Sequence, residues 1–397
     1  MKYPLITLKE GRDRTARAGH PWIFSGAIEP AKSELGAAGV VDVQDAAGVF
    51  LCRGLFSPSS MMAVRALTAR QDEMVNGEFY ERRIKTALAL REQLFPVKHT
   101  NAYRLINSEG DFLPGLVVDR YADILVVQIS TAGMESQREK IVAALTRVVA
   151  PAGIYERSDM GARREEKLGD QVGVLFGEVP DQVEILENGA RFMVDVKNGQ
   201  KTGFYLDQKE NRRRLAELTK GKRVLNCFSY TGGFSVAAAL AGAAQVTSVD
   251  SSRPALELAE GNFKMNGLDP EQHEFIVADM FEFLEDMKNG QKKWDVIVLD
   301  PPAFVKSRQD ITGGLKAYTQ INELAMRCLT PGGILATFSC SHHVGLDAFS
   351  NMVHIAASRA NRAMQILETR FAAADHPVSV HFPEGHYLKG YIMKAGE

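Results

Sequence analysis

Two apolar runs near the end of this 397-residue chain finish in residues that could do chemistry. Residues 333–338 run into Ser339-Cys340-Ser341-His342-His343, and residues 294–299 run into Asp300-Pro301-Pro302-Ala303-Phe304. A thiol in so polar and partly open a setting is suited to nucleophilic work. Carbon 5 of a pyrimidine is too weak a nucleophile to attack a methyl sulfonium. Addition of a thiolate to carbon 6 makes it an enamine carbon, which can. Asp300 is the nearest group to hydrogen-bond N3 of such a base and assist that addition. The two prolines impose a stiff, extended backbone at the strand end, a shelf for a planar base with Phe304 available for stacking. Cys52 and Cys328 read as core thiols, and Cys227 reads as packing beside a ligand loop. His342 and His343 read equally as groups that lower the Cys340 pKa or act as base and as a surface pair, and no second cysteine follows Pro302 to serve as the group that removes the carbon-5 proton.

A second group of residues suits an adenosine-bearing ligand. The run at 224–226 leads into Cys227-Phe228-Ser229-Tyr230-Thr231-Gly232-Gly233-Phe234, where Gly232 and Gly233 allow a tight turn and close approach of a ligand. Asp250, followed by Ser251, ends the next run, 25 positions past Leu225. A carboxylate there can accept from both ribose hydroxyls. Ala278-Asp279-Met280 ends the third run, and a carboxylate beside a thioether suits the amine and face of an adenine. Read alone, Asp250 and Asp279 are helix N-caps. Three such features at successive strand ends favour a ligand edge. A dinucleotide is the competing ligand, and the Asp300-Pro-Pro shelf argues against it because hydride transfer has no need of one.

The elements that must position these groups follow from periodicity. From about residue 205, strands expected at 223–226, 245–249, 274–277, 294–299 and 333–338 alternate with helical stretches such as 253–265 and 315–329. That is the pattern of a parallel α/β sheet covered on both faces. The front of the chain is β-rich: 40–44 and 49–55 read as a hairpin around a turn at 45–48, and 61–67 as a further strand. A helix is expected at 79–94, strands at 116–119, 124–129 and 153–156, and a helix at 134–149. Asn188-Gly189, between strands at 184–187 and 191–196, is the clearest hairpin signal.

Bulk properties set the class. Hydrophobic residues are 45% and charged residues 24%, ordinary for a soluble globular protein, and the length points to two or three domains. No apolar run approaches a membrane span. The first residues, with Lys2, Lys9 and Glu10, carry no apolar export stretch, so a cytoplasmic protein is expected. Four scattered cysteines make no metal or redox spacing, and no metal is expected. The net charge of −2 is low for a nucleic-acid binder. Local clusters remain: Lys9, Arg12, Arg14, Arg17 and His20; Arg157, Arg163, Arg164 and Lys167; and Arg212, Arg213 and Arg214.

Taken together, these motifs resemble the bacterial large-subunit ribosomal RNA cytosine-5 methyltransferases that carry an N-terminal PUA domain. The resemblance spans almost the whole chain. It includes the runs from Gly19-His20-Pro21-Trp22 to Ala27, Asp111 to Leu116, Lys201 to Gln208, Leu225 to Phe234, Asp300 to Phe304, Ser339 to Ser341, and Tyr387-Leu388-Lys389-Gly390. It implies a β-rich PUA domain over 1–75 that helps grip RNA, a small α/β middle domain over 76–185, and a seven-stranded Rossmann-like methyltransferase domain over 186–397. It further implies S-adenosylmethionine as cofactor, with Tyr205 and Gln208 against it together with Phe228, Tyr230, Gly232, Gly233, Asp250, Ser251, Asp279, Met280 and Asp300. Cys340 would be the nucleophile, and Arg12, Arg14, His20, Trp22 and Phe304 the RNA contacts. The implied partner is 23S rRNA or a large-subunit precursor, with the target cytosine unspecified; a homodimer is left open. Ala303 departs from the lysine of some relatives. Three other readings stand beside this one: a base N-methyltransferase, which needs no thiol; a uracil-5 enzyme, whose usual Asn-Pro after the cysteine Ser341-His342 does not match; and an RNA-binding protein whose fold no longer catalyses.

Overall fold

Local sequence rules account for most elements of the computed structural model, which describes residues 3–396; Lys2 lies outside them. The chain divides into two units. One holds the chain up to Ile185 with Val194–Leu206 and Ala374–Gly385, and the other holds Leu186–Met193, Asp207–Ala373 and the segment from His386.

The first unit contains two five-stranded sheets. In one, β1 (Leu5–Thr7), β2 (Trp22–Ile23), β3 (Gly39–Gln44), β4 (Phe50–Phe56) and β5 (Val64–Thr68) lie in the order β1-β3-β4-β5-β2, with the short helix α1 (Arg14–Arg17) between β1 and β2. The β3–β4 hairpin closes around Asp45, whose Oδ1 accepts from Ala47 N and Val49 N, both at 2.9 Å. Next come α2 (Gly77–Leu94), β6 (Ala102–Asn107), β7 (Leu116–Tyr121), β8 (Ile124–Ile129), α3 (Ala132–Glu135), α4 (Arg138–Val149), β9 (Gly153–Ser158), α5 (Ala162–Glu165) and β10 (Gln171–Gly177). Their strands lie in the order β10-β9-β8-β7-β6.

Two details differ from expectation. The helix expected over 134–149 is interrupted, because Ser136 Oγ donates to Gly133 O at 2.6 Å and Gln137 N to Met134 O at 2.9 Å, closing a separate turn. Strand β6 hides from pattern reading because Arg104 sits within it, held across the sheet by Asp119 of β7 at 2.8 and 3.0 Å. A two-stranded ribbon, β11 (Gln182–Glu187) and β12 (Ala190–Asp195), turns at Asn188 and Gly189, whose φ values of +51° and +85° are those a type I′ turn demands.

The second unit is the α/β sheet. Its elements are α6 (Lys209–Ala216), β13 (Arg223–Cys227), α7 (Gly233–Leu240), β14 (Gln245–Asp250), α8 (Arg253–Met265), β15 (Glu274–Val277), α9 (Met280–Asn289), β16 (Trp294–Leu299), α10 (Ile311–Arg327), β17 (Leu329–Ser339), α11 (Leu346–Ala360), β18 (Met364–Phe371) and β19 (Lys389–Ala395). The seven strands run in the order β15-β14-β13-β16-β17-β19-β18. The first five are parallel, and β19 is antiparallel to both neighbours. Strand order reverses between β13 and β16, which is where such sheets open a crevice beyond their carboxyl ends. Val296, Ile297, Val298 and Leu299 are all fully buried, as a central strand covered on both faces requires. Helix α10 buries Gly314, Tyr318, Ile321, Asn322 and Ala325, a spacing that keeps one face on the sheet.

Candidate active site

Parallel register brings the predicted groups to one edge. Cys227 is level with Val249 on one side and Leu299 on the other, so the next residues, Phe228, Asp250 and Asp300, emerge together. The loop after β13 is wound tightly. Phe228 (φ +58°) and Tyr230 (φ +48°) both adopt the left-handed region that non-glycine residues avoid, and Gly232 follows at φ +79°. Strain of this kind concentrates at functional loops and persists only where surrounding bonds hold it. Here Ser229 N donates to Val249 O at 3.0 Å, Tyr230 N to Asp250 Oδ2 at 2.8 Å and Asn262 Nδ2 to Thr231 O at 2.9 Å. A Cβ on Gly232 would lie 2.9 Å from Ala259 Cβ, so α7 and α8 close on this residue only as glycine.

Asp250 is half-buried, and its other oxygen accepts from Ser252 N at 2.9 Å. Each oxygen has further lone-pair capacity for a ribose hydroxyl. Ser251 is exposed. Asp279 is exposed and caps α9, its Oδ1 accepting from Phe281 N at 2.9 Å and Glu282 N at 3.2 Å. Met280 is 3% exposed and packs in the core, so the partly open apolar surface at this edge comes from its neighbours Val277 and Phe281. Gln208 is buried; its Nε2 donates to Asp300 Oδ1 at 2.9 Å and its Oε1 accepts from Asn211 Nδ2 at 2.6 Å. It therefore orients Asp300. Tyr205 belongs to the other unit, where its hydroxyl donates to Gln200 and the Lys201 ammonium sits 4.5 Å from its ring centroid.

On the far side of Asp300 the proline shelf meets the cysteine loop. Val305 N donates to Ser341 Oγ at 3.3 Å, and the Tyr318 hydroxyl lies 3.0 Å from the same oxygen. Burial pushes the Tyr318 phenol up. A Cβ on Gly314 would lie 2.3 Å from Val305 Cγ2, so the helix lies directly on the shelf because that residue has no side chain. Phe304 is half-buried, with ring centroids 4.7 Å from Tyr318 and 6.0 Å from Phe281. Cys340 Sγ lies 4.0 Å from Pro301 O. Among the four cysteines it alone is half-exposed; Cys52, Cys227 and Cys328 are buried. Burial pushes the Cys52 thiol to about 12 and the Cys328 thiol to about 11, and that of Cys227 well up. Those three are poor nucleophiles at neutral pH.

Residues 119–371 match the family described as S-adenosylmethionine-dependent methyltransferase, and residues 6–69 match a PUA-like domain. Ribosomal RNA large subunit methyltransferase I of Pseudoalteromonas atlantica is 46% identical over 98% of both chains. The protein of the same name from Tolumonas auensis is 43% identical over 98% of this chain and 99% of its own. The chain belongs to this family of S-adenosylmethionine-dependent methyltransferases. Among solved structures, SMU.776, described as a methyltransferase and crystallised with SAH, is 26% identical, with a TM-score of 0.85 over 99% of this chain and 100% of its own.

The residues of this methyltransferase fit its cofactor. Asp250 would supply acceptors at the switch point, and Ser229 Oγ and Thr231 Oγ1 are buried in the strained loop without a hydrogen-bond partner among the described residues, as happens where a bound group completes a site. The N-terminal PUA-like domain carries the other predicted contacts. Arg12 and Arg14 are exposed and make no ion pair among the described residues. Trp22 is half-buried, its Nε1 donating to Glu109 Oε1 at 2.8 Å and its ring 4.7 Å from Phe382. His20 Nδ1 accepts from Trp22 N at 3.1 Å, and its Nε2 lies 3.5 Å from Glu384 Oε2. Both rings are committed to packing within their unit. Gln208 as a support for Asp300, Tyr318 as a tie between loops and the buried Lys389 were not assigned these roles from sequence. A lysine opening an apolar run, Lys389-Gly-Tyr-Ile-Met, is the one signal that was there to be read. Among the described residues, no helix is long and apolar enough to cross a membrane.

Proposed function

We propose that this protein methylates carbon 5 of a specific cytosine in 23S rRNA, through a covalent bond between Cys340 Sγ and carbon 6 of the base. One observation carries the reading: the single half-exposed cysteine stands 4.0 Å from the carbonyl of Pro301, beside the Asp300-Pro-Pro shelf. The names of the full-length relatives support an rRNA substrate from the large subunit. The cofactor would supply an electrophilic methyl group, its S–CH3 bond breaking so that the sulfonium becomes a neutral thioether. The Cys340 thiolate adds to carbon 6, and the electron pair of the 5,6 double bond moves towards carbon 5, while the carboxyl group of Asp300, held by Gln208, donates to N3 a proton that it takes back when the thiolate leaves. Carbon 5 takes up the methyl. A base then removes the proton from carbon 5, the double bond re-forms and the C6–S bond breaks, returning the thiolate. The shelf and Phe304 hold the base in plane. Arg12 and Arg14 of the PUA-like domain contact phosphates. The division at residues 75 and 185, a cytoplasmic location and a large-subunit precursor as partner belong to the same proposal, with a homodimer admitted.

Bisulfite sequencing of 23S rRNA from cells with and without the gene tests this directly. One cytosine is expected to lose protection in the deletion strain and to stay unprotected when Cys340→Ala is supplied. Full restoration by Cys340→Ala would sink the covalent route, and an unchanged pattern on deletion would point to nitrogen methylation or a non-catalytic protein.

A further inference from the structure

A buried cation sits beside the nucleophile loop. Lys389 opens β19 and is paired across the sheet with Ser339, the last residue of β17, so it flanks the point where Cys340 leaves the strand. It is 3% exposed. Its Nζ donates to Ser341 O at 2.7 Å and also to Val344 O, two carbonyls of the loop that follows Cys340. No carboxylate pairs with it among the described residues. Taking an ammonium out of water costs several kcal/mol, and two neutral carbonyls offset only part of that. An apolar residue would close the strand at less cost, so a charge retained here points to a use for the charge.

We propose that Lys389 is a positioning residue for Cys340: it clamps residues 341–344 and holds a positive charge that favours the thiolate at neutral pH. The proposal rests on the reading of Cys340 as nucleophile. Other groups face the sulfur from each side. Asp300 at the end of β16 opposes the thiolate when ionised, and Tyr318 of α10 is a neutral phenol at pH 7 whose ionised form would also oppose it. His342 and His343 of the same loop are exposed, where water screens any charge, and Tyr387 stacks on His342 at 5.4 Å. Lys389 is therefore the buried cation among them. Burial pulls its amine down to about 8, and the charge on Cys340 acts in the opposite sense. At pH 7 it is still mostly protonated.

The test is the pH profile of Cys340 alkylation by iodoacetamide in the full-length protein, read by peptide mass spectrometry, for wild type, Lys389→Met and Lys389→Arg. Each unit by which a thiol's pKa rises lowers its thiolate fraction about tenfold at lower pH. Lys389→Met is expected to slow alkylation at pH 7 by about tenfold or more, with Lys389→Arg closer to wild type and S-adenosylmethionine binding retained by calorimetry. A Lys389→Met profile superimposed on the wild type overturns the proposal. Should Lys389→Met not fold, the wild type alone decides it. A Cys340 pKa lower in the folded than in the urea-unfolded protein supports the role, and one equal or higher refutes it. Because alkylation needs no turnover, these results stand apart from the Cys340→Ala methylation assay, which tests the nucleophile itself.

Discussion

Replacing Arg212 with Met should cost this protein more stability than any exposed substitution, through an ion pair that sequence reading placed on a basic surface. The Arg212 guanidinium meets Glu187 with two bonds of 2.6 Å, and the two side chains are 4% and 3% exposed. The arginine stem lies along Gly233, where an added Cβ would meet Arg212 Cδ at 3.0 Å, and its guanidinium carbon is 5.9 Å from the centre of the Phe234 ring. The pair thus buttresses the start of α7, directly after the ligand loop. Removing one partner of a buried pair leaves an uncompensated charge and costs about 3–5 kcal/mol. At roughly 2–4 °C per kcal/mol for a unit of this size, the melting transition should fall by about 6–20 °C. Replacing both residues with apolar ones of similar volume, Arg212→Met with Glu187→Leu, should recover most of that loss. Calorimetric melting of wild type, single and double variants is the assay, because it resolves the transition of each unit. A single variant that melts with the wild type, or a double variant no better than the single, would refute the argument.

Three further outcomes follow from the same geometry. Asp250→Ala, which deletes the acceptor at the switch point and the brace on Tyr230 N, should weaken S-adenosylmethionine binding about 10–100-fold by calorimetric titration, a loss of roughly 1.5–3 kcal/mol typical of charged hydrogen bonds; unchanged affinity would remove Asp250 from the site. Lys389 has a folded value of about 8 below its ordinary 10.5, so the unfolded chain binds more protons between those limits. The penalty for burying its charge is full below about 8 and is relieved as pH rises towards 10.5. Wild type should therefore gain stability relative to Lys389→Met across that window in urea titrations, and a constant difference would contradict the assignment. Replacing Arg12 and Arg14 with Ala should weaken RNA binding and lower the slope of log affinity against log salt by about one per lost phosphate contact, whereas an unaltered slope would place RNA elsewhere.

The sequence alone determined the features that repeat at short range. Alternating apolar runs and helical stretches set the parallel sheet, Asn188-Gly189 set a turn that only positive φ satisfies, and the motifs at 227–234, 250, 300–304 and 339–341 were found at strand ends because strand period and turn chemistry are local. Only the tertiary structure decided how these ends align. The register of β13, β14, β16 and β17 brings Asp250, Asp300 and Cys340 to one edge, and register depends on partners distant in the chain. The same holds for the residues that sequence reading assigned differently. Met280 is a core residue because α9 turns that face inward, Gln208 is bound to Asp300 across 92 positions, and Arg212 is buried because Glu187 waits for it. Charges such as Arg104, Arg212 and Lys389 look like surface in one dimension. Arg104 and Arg212 are bearable inside only because folding supplies each a carboxylate, and Lys389 is held by two loop carbonyls; contacts that distant in the chain leave no periodic trace.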